Sequence, residues 1–262
     1  MARPGYDTDL TDAEWVIIAP HLTNSDKRGA KQQYDLREII NAIYYVIMTG
    51  AQWRNIPKDF PPWKTVYWHF MKWRDVDTFK DLHTSLRKQL RVRLGRNEDP
   101  SAGIIDSQTV KSTIHCEDAG YDGNKKIKGR KRHLLVDSLG LIIVLVVHSA
   151  AIVDCTAAEM ILGHADVPER LEHTWVDKGY RGKRVQNYGA KNNIRVEVVG
   201  NPEAHKFAVA HKRWIVERTN AWTLGARRLT KDHERLKSSS EGLIFARFSK
   251  LMAGWIHKGA IG

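Results

Sequence analysis

Between Thr11 and Leu94, apolar residues recur at intervals of three and four, the period of helices with one buried face. Thr11-Asp-Ala-Glu14 has the form of a capping box ahead of the apolar stretch Trp15 to Leu22. A polar turn, Thr23–Gln33, follows. Asp35-Leu-Arg-Glu38 then opens a second helix in the same way, with Ile39, Ile40, Ile43, Val46 and Ile47 as its stripe and Gly50 where a C-terminal cap belongs. Asn55–Pro62 carries three prolines and reads as a loop. Trp63–Trp73 predicts a third helix with Val66, Phe70 and Trp73 on one face, and Asp77 to about Leu94 a fourth with Leu82, Leu86 and Leu90.

Arg96–Ser101 is polar and contains Pro100, so a domain boundary is placed there, and beyond it the period changes. Gly103-Ile-Ile-Asp106 is a short apolar run ending in a carboxylate. His133–Val136 and Leu141–Val147 are β-rich and separated by Ser138-Leu-Gly140, the pattern of a hairpin. Thr156 to about His164 predicts an amphipathic helix, with Asp154 as its cap. Thr174-Trp-Val-Asp177 is a second apolar run ending in a carboxylate. Arg181–Lys191 reads as helix, Ile194–Val199 as strand and His205 to about Leu229 as a long helix. Ser238-Ser-Ser-Glu241 caps a last helix with Ile244, Phe248, Leu251, Met252 and Trp255 as its buried stripe. There is no internal repeat.

Composition narrows the class. At 262 residues, 42% hydrophobic and 27% charged, the chain is an ordinary globular protein rather than a disordered or disulfide-stapled one. Its longest apolar run is far short of the roughly 20 residues needed to span a bilayer. The N-terminus lacks a signal-peptide pattern, and Cys116 and Cys155 form no metal-binding motif, so a cytoplasmic, nucleoid-associated location is expected. The charge is +12 and the pI about 9.7, which points to a polyanionic partner, nucleic acid above all. Residues 201–262 hold 12 basic against 5 acidic residues, and Lys125–Arg132 has six basic residues in eight (Lys125, Lys126, Lys128, Arg130, Lys131, Arg132). Helix, turn and helix in a basic protein predict a helix-turn-helix-like DNA reader over residues 1–95, with a plain helical bundle as the alternative.

The second part, residues 101–262, has the element order of an RNase H-like α/β core, a mixed sheet with helices on both faces. If the strands ending in Asp106 and Asp177 are neighbours, their carboxylates emerge together. Such a pair is costly unless a cation holds it, and oxygen donors without a Cys or His pattern favour Mg²⁺ or Mn²⁺. Asp137 precedes the hairpin turn and Asp154 a helix start, so both are set aside as turn and cap residues. In Arg213-Trp-Ile-Val-Glu217, Arg213 and Glu217 share one face of a helix whose apolar residues Trp214, Ile215 and Val216 would turn Glu217 toward the sheet edge.

With these segments in place, the chain resembles the DDE transposases of bacterial insertion sequences, and more closely the insertion sequence five family within the insertion sequence four group. LTDAEWVIIAPHL and YDLREIINAIYYVIMTGAQWRNIPKDFPPWKTVYWHF resemble that family's N-terminal region, and GIIDSQTVKS, WVDKGYRG and RWIVERTNAW its three acid-bearing segments. Arg213 and Glu217 fit the signature Tyr-x2-Arg-x3-Glu-x6-Lys, whereas Ala210 and Leu224 stand at the Tyr and Lys positions; Arg228, three helical turns past Glu217, or Lys231 would supply the charge instead.

The resemblance implies binding to terminal inverted repeats, hydrolysis at the element's ends and joining of the 3′-OH to target DNA. Asp106, Asp177 and Glu217 would be catalytic and would hold two Mg²⁺ (or Mn²⁺). It also implies DNA contacts from Lys178, Tyr180, Arg181, Arg213, Arg227, Arg228 and Lys231 and from the Lys125–Arg132 run, and a homodimer on paired ends. The last helix is a candidate subunit contact, although covering its own sheet is the simpler role for it. A structure-specific nuclease with the same core, or a non-catalytic DNA-binding regulator, are the competing readings.

Overall fold

The computed structural model describes residues 3–22, 33–199 and 212–262, which fall into two compact units. The polar turn over residues 23–32, the start of the long helix at His205 and the signature position Ala210 lie outside the described residues.

The first unit is helical. It contains α1 (Asp12–Leu22), α2 (Leu36–Thr49), α3 (Trp63–Asp75) and α4 (Thr78–Arg93). The expected capping box is formed: the Glu14 amide donates to Thr11 Oγ1 (3.2 Å) and the Thr11 amide to Glu14 Oε2 (2.9 Å). Asp35 caps α2 by accepting from the Arg37 amide, and Gly50 ends it at φ 76°, in the left-handed region open to glycine. The α2 stripe of Ile39, Ile40, Ile43, Val46 and Ile47 is wholly buried.

The last helix, α8 (Lys237–Lys258), joins this unit from residue 238 onward rather than the sheet. Phe245 and Phe248 pack on His83, Ser239 Oγ accepts from Arg74 (2.8 Å), and Lys250 donates to the Thr8 carbonyl. One expectation is therefore corrected. The α8 stripe neither covers its own sheet nor faces outward, because Ile244, Phe248, Met252 and Trp255 close the helical core.

The second unit is a mixed sheet with helices. Its strands are β1 (Ala102–Lys111), β2 (Gly120–Asp122), β3 (Ile127–Asp137), β4 (Ile142–Ser149), β5 (His173–Val176) and β6 (Arg195–Val198), interleaved with α5 (Asp154–Leu162) and α6 (Lys183–Lys191) and followed by α7 (Arg213–Leu224). The strand path is β2-β3-β1-β5-β6, with β4 also on β3; β1, β2 and β4 pair antiparallel to β3, whereas β1–β5 and β5–β6 are parallel. This is the helical region followed by the RNase H-like core that the element order predicted. The core sits between sheet and helices, with Ile105, Leu135, Val144, Ile161, Val176 and Val185 at its centre.

Three local expectations change. β1 continues five residues past Asp106, so that carboxylate is mid-strand rather than terminal. The basic run expected to contact DNA does not all stay on the surface: after a turn it becomes β3, and Arg130, Lys131 and Arg132 are buried within it. Finally, α7 stops at Leu224 and Arg227–Leu229 is a separate 3₁₀ turn, so Arg228 does not continue the helical face of Glu217.

Candidate active site

The parallel register of β1 and β5 brings the first two acids together. Ile105 pairs with Val176, and the next residue on each strand is Asp106 and Asp177. Beyond that step β5 ends and β1 continues, so both carboxylates stand where the pairing stops. Asp177 caps a 3₁₀ turn, Lys178–Tyr180, by accepting from the Gly179 amide at 2.8 Å. The Asp106 carboxyl is pushed up to about 6, first by burial and then by the Asp177 charge. A hydrogen bond from the Ser107 amide and the charges of Arg213 and Lys125 act in the opposite direction.

A cleft beside the pair is lined by Ile104, Ile105, Trp175, Val176, Val199, Arg213 and Val216 as well as the two acids. Glu217 follows Val216 on α7. It is exposed, and its carboxylate meets Arg213 Nε at 3.4 Å. Among the described residues no three potential metal ligands come together: Asp106 and Asp177 are adjacent, and Glu217 is turned to its i,i+4 arginine. Arg213 thus lies between the pair and Glu217, one charge acting on Asp106 and contacting Glu217.

The expected DNA contacts divide by exposure. Lys125, Lys126, Lys128, Lys178, Arg181, Arg227 and Lys231 are exposed, as is Arg213. Lys125 also donates to the Ser107 carbonyl (3.2 Å). Arg228 is half-buried and donates to the Ala51 carbonyl. Four residues are corrected. Arg130 is fully buried, ion-paired to Asp232 (3.3 Å) and bonded to the carbonyls of Glu117, Glu234 and Arg235. Arg132 is buried against Gln108, and Lys131 against Asp154 (3.0 Å) and the Ile152 carbonyl. Tyr180 is buried with its hydroxyl on His133 (2.7 Å). None of these four presents a surface to a phosphate.

Tyr180 instead joins a buried polar network with His133 and His148, which no local sequence pattern announces. The Ser149 carbonyl can only accept, so His148 Nδ1 donates to it (2.8 Å) and His148 Nε2 accepts from His133 Nδ1 (2.8 Å). His133 Nε2 then accepts from the Tyr180 hydroxyl. Burial lowers the affinity of each ring for a second proton.

Asp154 is not a helix cap: it is the first residue of α5, behind Val153, and takes Lys131 and Ser107 on Oδ1. A Cβ at position 179 would lie 3.0 Å from Asp177 Oδ1 and 3.3 Å from Asp154 Oδ2. A side chain there would crowd both carboxylates, and that glycine within Asp177-Lys-Gly-Tyr180 was the available sequence signal. Asp137 does behave as a turn residue, accepting from the Leu139 and Leu141 amides at 2.9 Å.

A helical region followed by a mixed sheet with helices, with two acids meeting at one parallel step, is consistent with an RNase H-like DDE core. The chain belongs to the IS4/5 family of transposases: a family model of the transposase DDE domain matches residues 97–249, and a model of IS4/5-family transposases matches residues 10–83. No curated protein matches the chain. The DDE domain implies a catalytic transposase that acts on DNA and uses divalent metal. No helix among the described residues is long and apolar enough to cross a membrane.

Proposed function

We propose that the protein binds the terminal inverted repeats of an insertion sequence, cleaves at the element's ends and joins the freed 3′-OH to target DNA. The observation that carries this reading is the Asp106–Asp177 juxtaposition, two carboxylates side by side in a family whose chemistry is phosphoryl transfer. The residues fit hard divalent cations: adjacent oxygen donors, one with a raised pKa, favour a small cation that would relieve their repulsion. Asp106, Asp177 and Glu217 would hold two Mg²⁺ or Mn²⁺, which when bound supply activation of the attacking oxygen and stabilisation of the leaving one.

The protein's own residues do the rest. Asp177 is fixed by its own turn through Gly179. Arg213 lies close enough to act on Asp106 and to pair with Glu217, so it can orient Glu217 and meet a non-bridging phosphate oxygen. Lys178 and Arg181, exposed just after Asp177, and Lys125, Lys126 and Lys128 can take backbone phosphates, as can Arg227 and Lys231. End recognition is assigned to the helical unit. Two ends are handled together, so a homodimer on paired ends is the simplest active assembly.

The test is to incubate the purified protein with end DNA, target DNA and Mg²⁺, and to map both cuts and joined products. Cuts at the element's boundary with strand joining support the proposal. Cutting without joining would replace it with a structure-specific nuclease, and tight binding indifferent to chelation or to Asp106→Ala with a DNA-binding regulator.

A further inference from the structure

The helical unit leaves open which of its faces meets DNA, and α4 is the helix that looks basic in sequence. In the structure two of its arginines, Arg87 and Arg91, are buried at 3% and 4% exposure, so much of its charge is turned inward. The opposite holds for α3. Lys64, Trp68 and Lys72 stand at i, i+4 and i+8, one stripe about 12 Å long at 1.5 Å per residue. Trp68 is 51% exposed although it is large and apolar. Lys72 Nζ lies 5.4 Å from its ring centroid, and its edge rests on His69. Arg54 is exposed beside the N-terminal end of the same helix, over the Trp63 ring at 5.5 Å.

Across residues 53–73 the cations are Arg54, Lys58, Lys64 and Lys72, and the only acid before Asp75 is Asp59, which accepts from the Tyr6 hydroxyl. Arg54, Lys64 and Lys72 contact aromatic rings rather than carboxylates. A helix face of cations without acid partners among the described residues, around a half-exposed tryptophan, is complementary to a polyanion that also offers apolar edges. Duplex DNA is that polyanion: its major groove is about 12 Å wide, is walled by phosphates and displays thymine methyl groups.

We propose that α3 is the helix that enters the major groove of the element's end. Lys64 and Lys72 reach phosphates on the groove walls, Trp68 meets base edges between them, and Arg54 extends the phosphate contact. This inference rests on the assignment of end recognition to the helical unit and narrows it to one face.

The test uses the full-length protein and two duplexes of equal length, the element's end and a shuffled sequence, with affinity measured over a range of salt. The Lys64→Ala/Lys72→Ala variant should lose about 2 from the slope of log affinity against log salt, near 0.9 per phosphate contact. Trp68→Ala should weaken end binding roughly 5- to 50-fold and leave shuffled DNA within about twofold. Lys258→Ala, exposed at the end of α8, is the matched control. Unchanged far-ultraviolet dichroism and melting exclude misfolding.

Wild-type protein that fails to prefer its own end overturns the underlying assignment, and this inference with it. Wild-type preference that survives in both variants, with an unchanged slope, overturns the α3 face alone and leaves it to an acidic protein partner.

Discussion

Asp106→Asn should stabilise this protein while destroying its activity. The carboxyl has its pKa raised from 3.8 to about 6 in the fold. Between those values the native state holds a proton that the unfolded chain has released, so stability falls as the pH rises through this window. A tenfold change in proton affinity is worth about 1.4 kcal/mol, so ionised Asp106 costs the fold about 3 kcal/mol at pH 7.5 and about 1 kcal/mol at pH 4.5. The attractions of Arg213 and Lys125 are already contained in that net cost. Asparagine keeps the shape and the acceptor for the Ser107 amide but carries no charge. In EDTA, Asp106→Asn should therefore gain about 2–3 kcal/mol at pH 7.5, shrinking to about 1 kcal/mol or less at pH 4.5. The assay is urea unfolding at the two pH values, with amide exchange of β1 and β5 to follow the sheet unit specifically. Mg²⁺ should then raise the stability of the wild type and not of the variant, since a ligand stabilises only the state that binds it. A variant less stable than wild type at pH 7.5, or a gain that does not shrink in acid, would refute the account of Asp106 as a strained, cation-seeking carboxylate.

Other substitutions separate chemistry from architecture. Asp106→Ala, Asp177→Ala and Glu217→Ala should each reduce cleavage at least 100-fold with end binding within about threefold, measured by product mapping and gel shift. Arg130→Met should cost about 3–5 kcal/mol because it strands the buried Asp232 carboxylate, and soluble yield and melting temperature report it. Lys126→Ala/Lys128→Ala should leave melting unchanged and flatten the salt dependence of DNA affinity. Tyr180→Phe removes one buried hydrogen bond and should lower stability by about 1–2 kcal/mol without changing DNA affinity, a test of its interior position.

Helices and hairpin were legible because their signals are local. The capping box at Thr11, Gly50 after α2 and the Ser138–Gly140 turn each act within four residues. The Asp106–Asp177 pair was legible because two apolar runs ended in acids and a parallel step aligned them. What was not legible depended on distant partners. A basic run looks solvated until Asp122, Asp154 and Asp232 arrive from 9 to 102 residues away to bury its cations. Asp154 looked like a cap because helix starts attract aspartate, yet its partners are on β1 and β3. Likewise α8 carried a plain apolar stripe, and a stripe does not say which surface it covers.

The destination of α8 has a consequence for how the molecule is made. Its helical unit takes four helices from the first part of the chain and the last from the other end. On a ribosome the first four emerge early, yet the helix that closes their core is synthesised last, after the entire sheet. At 5–20 residues per second, the 141 residues between Arg96 and Ser238 hold that core open for roughly 7–30 s. A nascent chain therefore cannot complete its helical unit before its catalytic sheet has been translated. Prematurely terminated products, which end without α8, lack the fifth wall of the helical core.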